Sequence, residues 1–207
     1  MEDEFNNQPT RLRVCGTLEQ TLRYGENPDQ EATVYSDGEQ CGPNVVTASV
    51  IAGKPLSYNN LIDAAAALEL MQDLHEATSQ PTAIIVKHTN ACGAAVSTSI
   101  GKSFSCAWQG DPLAAFGGIV ALSHPVDLDL ARRICDGEKF LEVIVAPLFS
   151  SDGAAALSER WKNIRLLAVG QGDRKGNWRQ LRSIQGGILV QTCKPVTADA
   201  ATWTHIT

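Results

Sequence analysis

The stretch Thr82–Gly93, TAIIVKHTNACG, decides how the rest of the chain is read. Its first five residues are apolar or β-branched without alternation, which predicts a strand buried on both faces. The run then breaks into Lys87 and His88. A cation and a group that titrates near neutral pH therefore share one strand end, followed by the turn-forming glycine Gly93.

Three further runs downstream have the same apolar character: Gly118–Leu122 (GIVAL), Glu142–Ala146 (EVIVA) and Ile164–Val169. Helical spacing separates them. Leu61–Glu76 carries apolar residues at helical intervals without Gly or Pro, and Ser97–Gln109, Leu128–Cys135 and Ala154–Trp161 read similarly. Asn59, Asn60 and Asp63 supply capping chemistry for the first of these helices. Strands alternating with helices of this length predict an α/β layered fold. Val45–Ala52 is strand-like, and Ser183–Gln191 (SIQGGILVQ) reads as a final strand containing a glycine pair. Residues 12–44, rich in Gly, Pro, Asn and Asp, read as loops. Segment 170–178 reads as a polar turn. The expected organisation is a loosely attached terminus over 1–11, one domain over 12–191 and a tail over 192–207.

The 207 residues are enough for a substantial core. A net charge of -6 argues against general nucleic-acid binding, which Lys and Arg must drive. No apolar run approaches a membrane span, and no leader is apparent. The six cysteines, Cys15, Cys41, Cys92, Cys106, Cys135 and Cys193, are widely and irregularly spaced. They read as small buried hydrophobes in a reducing cytoplasm rather than as disulfides. No Cys-x-x-Cys or His-x-Glu occurs, so no zinc site is expected.

Ligands of open α/β sheets gather beyond strand ends. Besides Lys87–Gly93, three segments offer suitable groups. Leu22–Gln30 (LRYGENPDQ) contains Arg23, able to grip a phosphate bidentately, and Tyr24, able to pack on a ring. Gly53–Asn60 (GKPLSYNN) leads into a helix whose first turn could attract an anion, though alone it reads as an ordinary cap. Asp111–Gly118 (DPLAAFGG) ends in glycines that permit close backbone approach.

Taken together, these segments resemble one family closely: the AICAR transformylase domain of the bifunctional purine-biosynthesis protein that also carries IMP cyclohydrolase. The resemblance rests on LRYGENPDQ (22–30), GKPLSYNNLIDAAAALEL (53–70), IIVKHTNACGAAV (84–96), DPLAAFGGIVAL (111–122), EVIVAPLFS (142–150), NIRLLAVG (163–170) and RSIQGGILVQ (182–191), in that order. It implies a cytidine-deaminase-like three-layer α/β fold, with a mixed sheet and helices on its faces. The implied reaction is formyl transfer from 10-formyltetrahydrofolate, a co-substrate, to the 5-amino group of AICAR, without metal. Lys87 and His88 match the family's catalytic pair. Arg23, Tyr24, Asn90, Gly117 and Glu142 match positions that contact the nucleotide.

The chain departs from the family pattern in three ways. The cyclohydrolase domain that precedes LRYGENP is missing. The second α/β half, which brings an Asn, a Phe and further Arg residues, is missing too. Ala91 stands where many relatives have Pro. The expected partner is accordingly a second copy in a homodimer, or another chain supplying the rest of the site. A non-catalytic AICAR-binding homologue is the alternative. Cytidine-type deamination is disfavoured because the zinc ligands are absent.

Overall fold

The structure is a computed structural model that describes residues 10–38, 42–172 and 179–192. The expectations for 1–9, for the turn over 173–178 and for the tail over 193–207 lie outside the described residues.

Six strands form the central sheet: β3 (Ser49–Ala52), β4 (Thr82–Lys87), β5 (Asn90–Val96), β6 (Gly118–Leu122), β7 (Leu141–Ala146) and β8 (Arg165–Ala168). Their order is β3-β8-β7-β6-β4-β5. Strands β6, β7 and β8 run parallel, whereas β4 is antiparallel to both β6 and β5, and β3 is antiparallel to β8. The sheet is mixed, as expected.

The apolar runs are continuous because both faces of the sheet are covered. Ile84 and Val86 of β4 pack with Ile119, Val143, Val145 and Leu167 against helix α1 (Tyr58–Thr78), through Ala64, Ala67, Leu68 and Met71. Ala83 and Ile85 point the other way, into a second core. There they join Phe104 and Ala107 of α2 (Ile100–Gly110), Ala115 of α3 (Pro112–Ala115), Leu130 and Ile134 of α4 (Leu128–Cys135), and Leu157 of α5 (Ser151–Arg160). The molecule thus has three layers, helix on sheet on helices. No helix among the described residues is long and apolar enough to cross a membrane.

The structure corrects the sequence reading in several places. Residues 12–44 are not all loop: β1 (Thr17–Leu22) and β2 (Ala32–Ser36) pair as an antiparallel ribbon. The predicted strand from Val45 begins only at Ser49. Before it, the Asn44 carboxamide oxygen accepts from the amides of Val46 and Thr47 and holds a turn. Residues 90–96 form strand β5. Ser183–Gln191 is not one strand but parts of two, β9 (Arg179–Ile184) and β10 (Gly187–Thr192), reversed at Gln185-Gly186 with Gly186 at φ +85. Thr192, expected to open a tail, ends β10.

Helix α1 starts three residues earlier than predicted. Its cap is Ser57, whose hydroxyl accepts from the Asn60 amide while the Asn60 side chain accepts from the Ser57 amide. This reciprocal cap satisfies two amides that the first turn would otherwise leave without partners. Asp63, expected to share in capping, is thereby released for another task.

Candidate functional site

Because β4 runs against β6, its carboxyl end meets the amino ends of β6, β7 and β8. Lys87, His88, Gly117 and Glu142 therefore lie at one end of the central sheet, although only Lys87 and His88 lie at the carboxyl end of one of its strands; Arg23 and Tyr24 follow β1, which belongs to the separate ribbon.

Lys87 is paired with Asn90, so His88 and Thr89 alone make the turn between β4 and β5. Both have positive φ, 54° and 60°. Two-residue hairpin turns of this hand favour Asn-Gly, since each residue must enter the left-handed region. Histidine and a β-branched threonine pay about 1–3 kcal/mol each for doing so.

The surroundings hold that strain in place. Asp63, on the second turn of α1, accepts from the Thr89 amide at 2.7 Å and from the His88 amide at 3.2 Å. The His88 carbonyl in turn accepts from Thr89 Oγ1 at 2.7 Å and from Asn90 Nδ2 at 2.8 Å. The backbone of His88 is thus fixed on both sides. Its side chain is exposed, and among the described residues neither ring nitrogen has a hydrogen-bond partner. The result is an uncommitted imidazole on an over-determined backbone.

Lys87 is half-buried, and its Nζ donates to the Phe116 carbonyl at 3.0 Å. An ammonium has three protons, so two remain to be donated elsewhere. Phe116 and Phe140 pack ring on ring, with centroids 5.6 Å apart. Gly117 follows at φ +77, and its N–H is committed to the Phe140 carbonyl at 2.8 Å.

A bulge in β5 sets two residues, Ala91 and Cys92, against Val86. Burial pushes the Cys92 thiol above its ordinary value, and nearby Lys87 offsets this only in part. The sulfur is therefore a neutral thiol at pH 7 rather than a nucleophile. One residue further on, Gly93 lies against α2 so closely that an added Cβ would sit 1.9 Å from the Ala107 carbonyl oxygen. That contact brings α2 directly behind the site strand.

Glu142, at the start of β7, accepts from Asn60 Nδ2 at 3.2 Å. Arg165 Nη1 lies 4.0 Å from the same carboxylate, and Arg165 Nε donates to the Pro55 carbonyl at 3.3 Å. Glu142 remains 46% exposed at its side chain, so it is supported from one side and open on the other.

Arg23 and Tyr24 follow β1, with the guanidinium 5.3 Å from the centre of the Tyr24 ring. Their loop is closed by the Gly25 amide donating to the Gln30 carbonyl at 2.8 Å, and it meets α1 where Asn59 Nδ2 donates to the Glu26 carbonyl at 3.4 Å. No hydrogen bond, ion pair or ring contact joins Arg23 or Tyr24 to Lys87, His88 or Glu142 among the described residues.

Sequence reading missed the supporting residues Asp63, Asn60, Arg165 and the Phe116 carbonyl. The one available signal was the Asn60 to Asp63 spacing, which places both on one face of α1. Among the described residues, no three His, Cys, Asp or Glu side chains converge so as to hold a metal ion.

Comparison with known proteins gives a family. A family profile described as AICARFT/IMPCHase bienzyme matches residues 1–207. Among the curated relatives are several named bifunctional purine biosynthesis protein PurH. That of Persephonella marina is 46% identical over 184 residues, covering 88% of this chain and 35% of the relative. That of Rhodopirellula baltica is 38% identical over 202 residues, covering 96% and 38%. That of Lactococcus lactis subsp. lactis is 37% identical over 212 residues, covering 100% and 40%. The chain thus spans between a third and two-fifths of the length of these curated relatives.

Proposed function

The chain belongs to the AICARFT/IMPCHase bienzyme family, and we propose that within it this segment carries the formyl-transfer chemistry of purine biosynthesis. The reaction is transfer of the formyl group of 10-formyltetrahydrofolate to the 5-amino group of AICAR. One observation carries the reading: His88, whose imidazole has no hydrogen-bond partner among the described residues, directly follows Lys87 on a turn pinned by Asp63.

The AICAR amine is conjugated with its ring and carboxamide and is a poor nucleophile. His88 takes a proton from it as the nitrogen attacks the formyl carbon. Lys87 stabilises the oxyanion of the tetrahedral intermediate. The bond from the formyl carbon to the folate nitrogen then breaks, and Lys87 returns a proton to that nitrogen. Each acid or base role contributes about 10²–10⁴ in rate, and alignment of two substrates adds more. Arg23 and Tyr24 fit a phosphate and a ring, and the open side of Glu142 fits ribose hydroxyls or ring N–H donors. Asn90 and Gly117 have one polar group each committed within the protein, so a nucleotide would use the Asn90 carboxamide oxygen and the Gly117 carbonyl.

Because the relatives are longer, the remaining groups of the site come from a second copy in a homodimer or from additional polypeptide. The proposed setting is the cytoplasm. A second reading is an AICAR-binding segment without turnover, in which the open carboxylate of Glu142 and the Arg23–Tyr24 pair hold the nucleotide. One experiment separates the two: the chain is incubated with AICAR and 10-formyltetrahydrofolate, and tetrahydrofolate release is followed. Release that disappears in His88→Ala supports the transferase. Saturable AICAR binding without release supports the binding segment.

A further inference from the structure

We propose that Asp63 is a positioning residue, whose carboxylate holds the His88–Thr89 turn in its left-handed form and so sets where the His88 imidazole points. The importance of that direction rests on the function proposed above; the clamp itself rests on geometry alone. Each oxygen of one carboxylate takes one of two consecutive amides, at 2.7 and 3.2 Å. Those amides belong to the two non-glycine residues that carry positive φ in the β4–β5 hairpin.

The turn's own residue types do little to favour this conformation: histidine tolerates the left-handed region better than most residues, but β-branched threonine does not, and a glycine is missing. The holding force therefore comes from outside the hairpin, across 25 and 26 residues of sequence. Asp63 is itself fixed by α1, whose reciprocal Ser57–Asn60 cap closes at Asn60, three residues before it. Asn60 grips Glu142 from the same helical face. The first turns of α1 thus fix the catalytic turn and an acidic group of the same sheet edge to one rigid body.

The test compares Asp63→Asn with wild type and with the double variant Asp63→Asn/Thr89→Gly. The asparagine keeps the shape but offers one acceptor where two amides need partners. Amide hydrogen exchange at His88 and Thr89 reads the clamp without any activity assay. A rise of at least about tenfold at these two amides, with the α1 core amides unchanged, is expected. The accompanying kinetic expectation is a kcat lowered about 10- to 100-fold, with KM for AICAR moved less than about threefold. Glycine at position 89 adopts positive φ freely, so the double variant should regain a large part of kcat.

Unchanged exchange in Asp63→Asn, or no recovery on adding Thr89→Gly, overturns the positioning role. A wild-type chain that shows no formyl transfer overturns the reaction assigned above. The exchange measurement then still decides the clamp.

Discussion

Lys87 Nζ donates to the Phe116 carbonyl across 3.0 Å, so a charged hydrogen bond joins the end of β4 to the turn that enters β6. This contact fixes one proton of the ammonium and leaves two to be donated elsewhere. Lys87→Ala should therefore lower kcat about 100-fold or more while changing AICAR affinity less than about threefold. Steady-state kinetics and calorimetric AICAR titration on the same preparation check this. Equal losses in both would remove the transition-state role.

Gly93 has no room for a side chain, because a Cβ there would meet the Ala107 carbonyl oxygen at 1.9 Å. That neighbour is helix backbone and has no rotamer to yield. Gly93→Ala should cost about 3 kcal/mol, the upper part of the usual range for overpacking. The melting temperature should drop by roughly 6–12 °C in a chain of this size. Thermal unfolding by circular dichroism measures it, and a change below 2 °C would show that β5 and α2 separate easily.

Asn60 both completes the α1 cap and supports Glu142. Ser57 serves the cap only. Ser57→Ala and Asn60→Ala should each cost about 1 kcal/mol of stability. Only Asn60→Ala should also weaken AICAR binding, by about three- to tenfold, because Glu142 loses its donor. Similar AICAR affinities in the two variants would disconnect Glu142 from the ligand.

At the opposite end of the sheet, burial and, secondarily, His75 lower the His124 imidazole from its ordinary value. The rings of His75 and His124 meet edge to face at 6.1 Å, and His124 Nδ1 lies 2.9 Å from Ser123 Oγ. Between the lowered folded value and the ordinary one near 6.5, the unfolded chain binds more protons. Stability therefore rises with pH across that window and falls on acidification. Denaturant unfolding at pH 7.5 and 5.5 should show lower stability at pH 5.5, by a margin that shrinks in His124→Gln. An undiminished margin would place the acid sensitivity elsewhere.

The parts of this fold legible in the sequence are those where burial dictates residue type. TAIIV, GIVAL and EVIVA are apolar on both faces because a helix covers each side of the sheet. Strands β1, β9 and β10 were not legible as such, because their residues are almost wholly exposed and polar and apolar residues need not alternate there. Strand β5 was hidden by its own bulge and by the small residues, Ala91, Gly93 and Ala94, that let α2 approach. In the site, Lys87 and His88 stood out because charge interrupts an apolar run. Asp63 did not, since an acid near a helix start has a sufficient local explanation, and its two amides lie 25 and 26 residues away.

Carbon-13 in the formyl group of 10-formyltetrahydrofolate gives the most direct test of the assignment to His88. Wild-type chain and His88→Ala are incubated with labelled donor and AICAR, and label on the AICAR amine is followed by NMR. The expected result is label transfer by wild type, slowed at least 100-fold in the variant. Equal transfer rates in the two proteins, or no transfer and no AICAR binding by wild type, would contradict it.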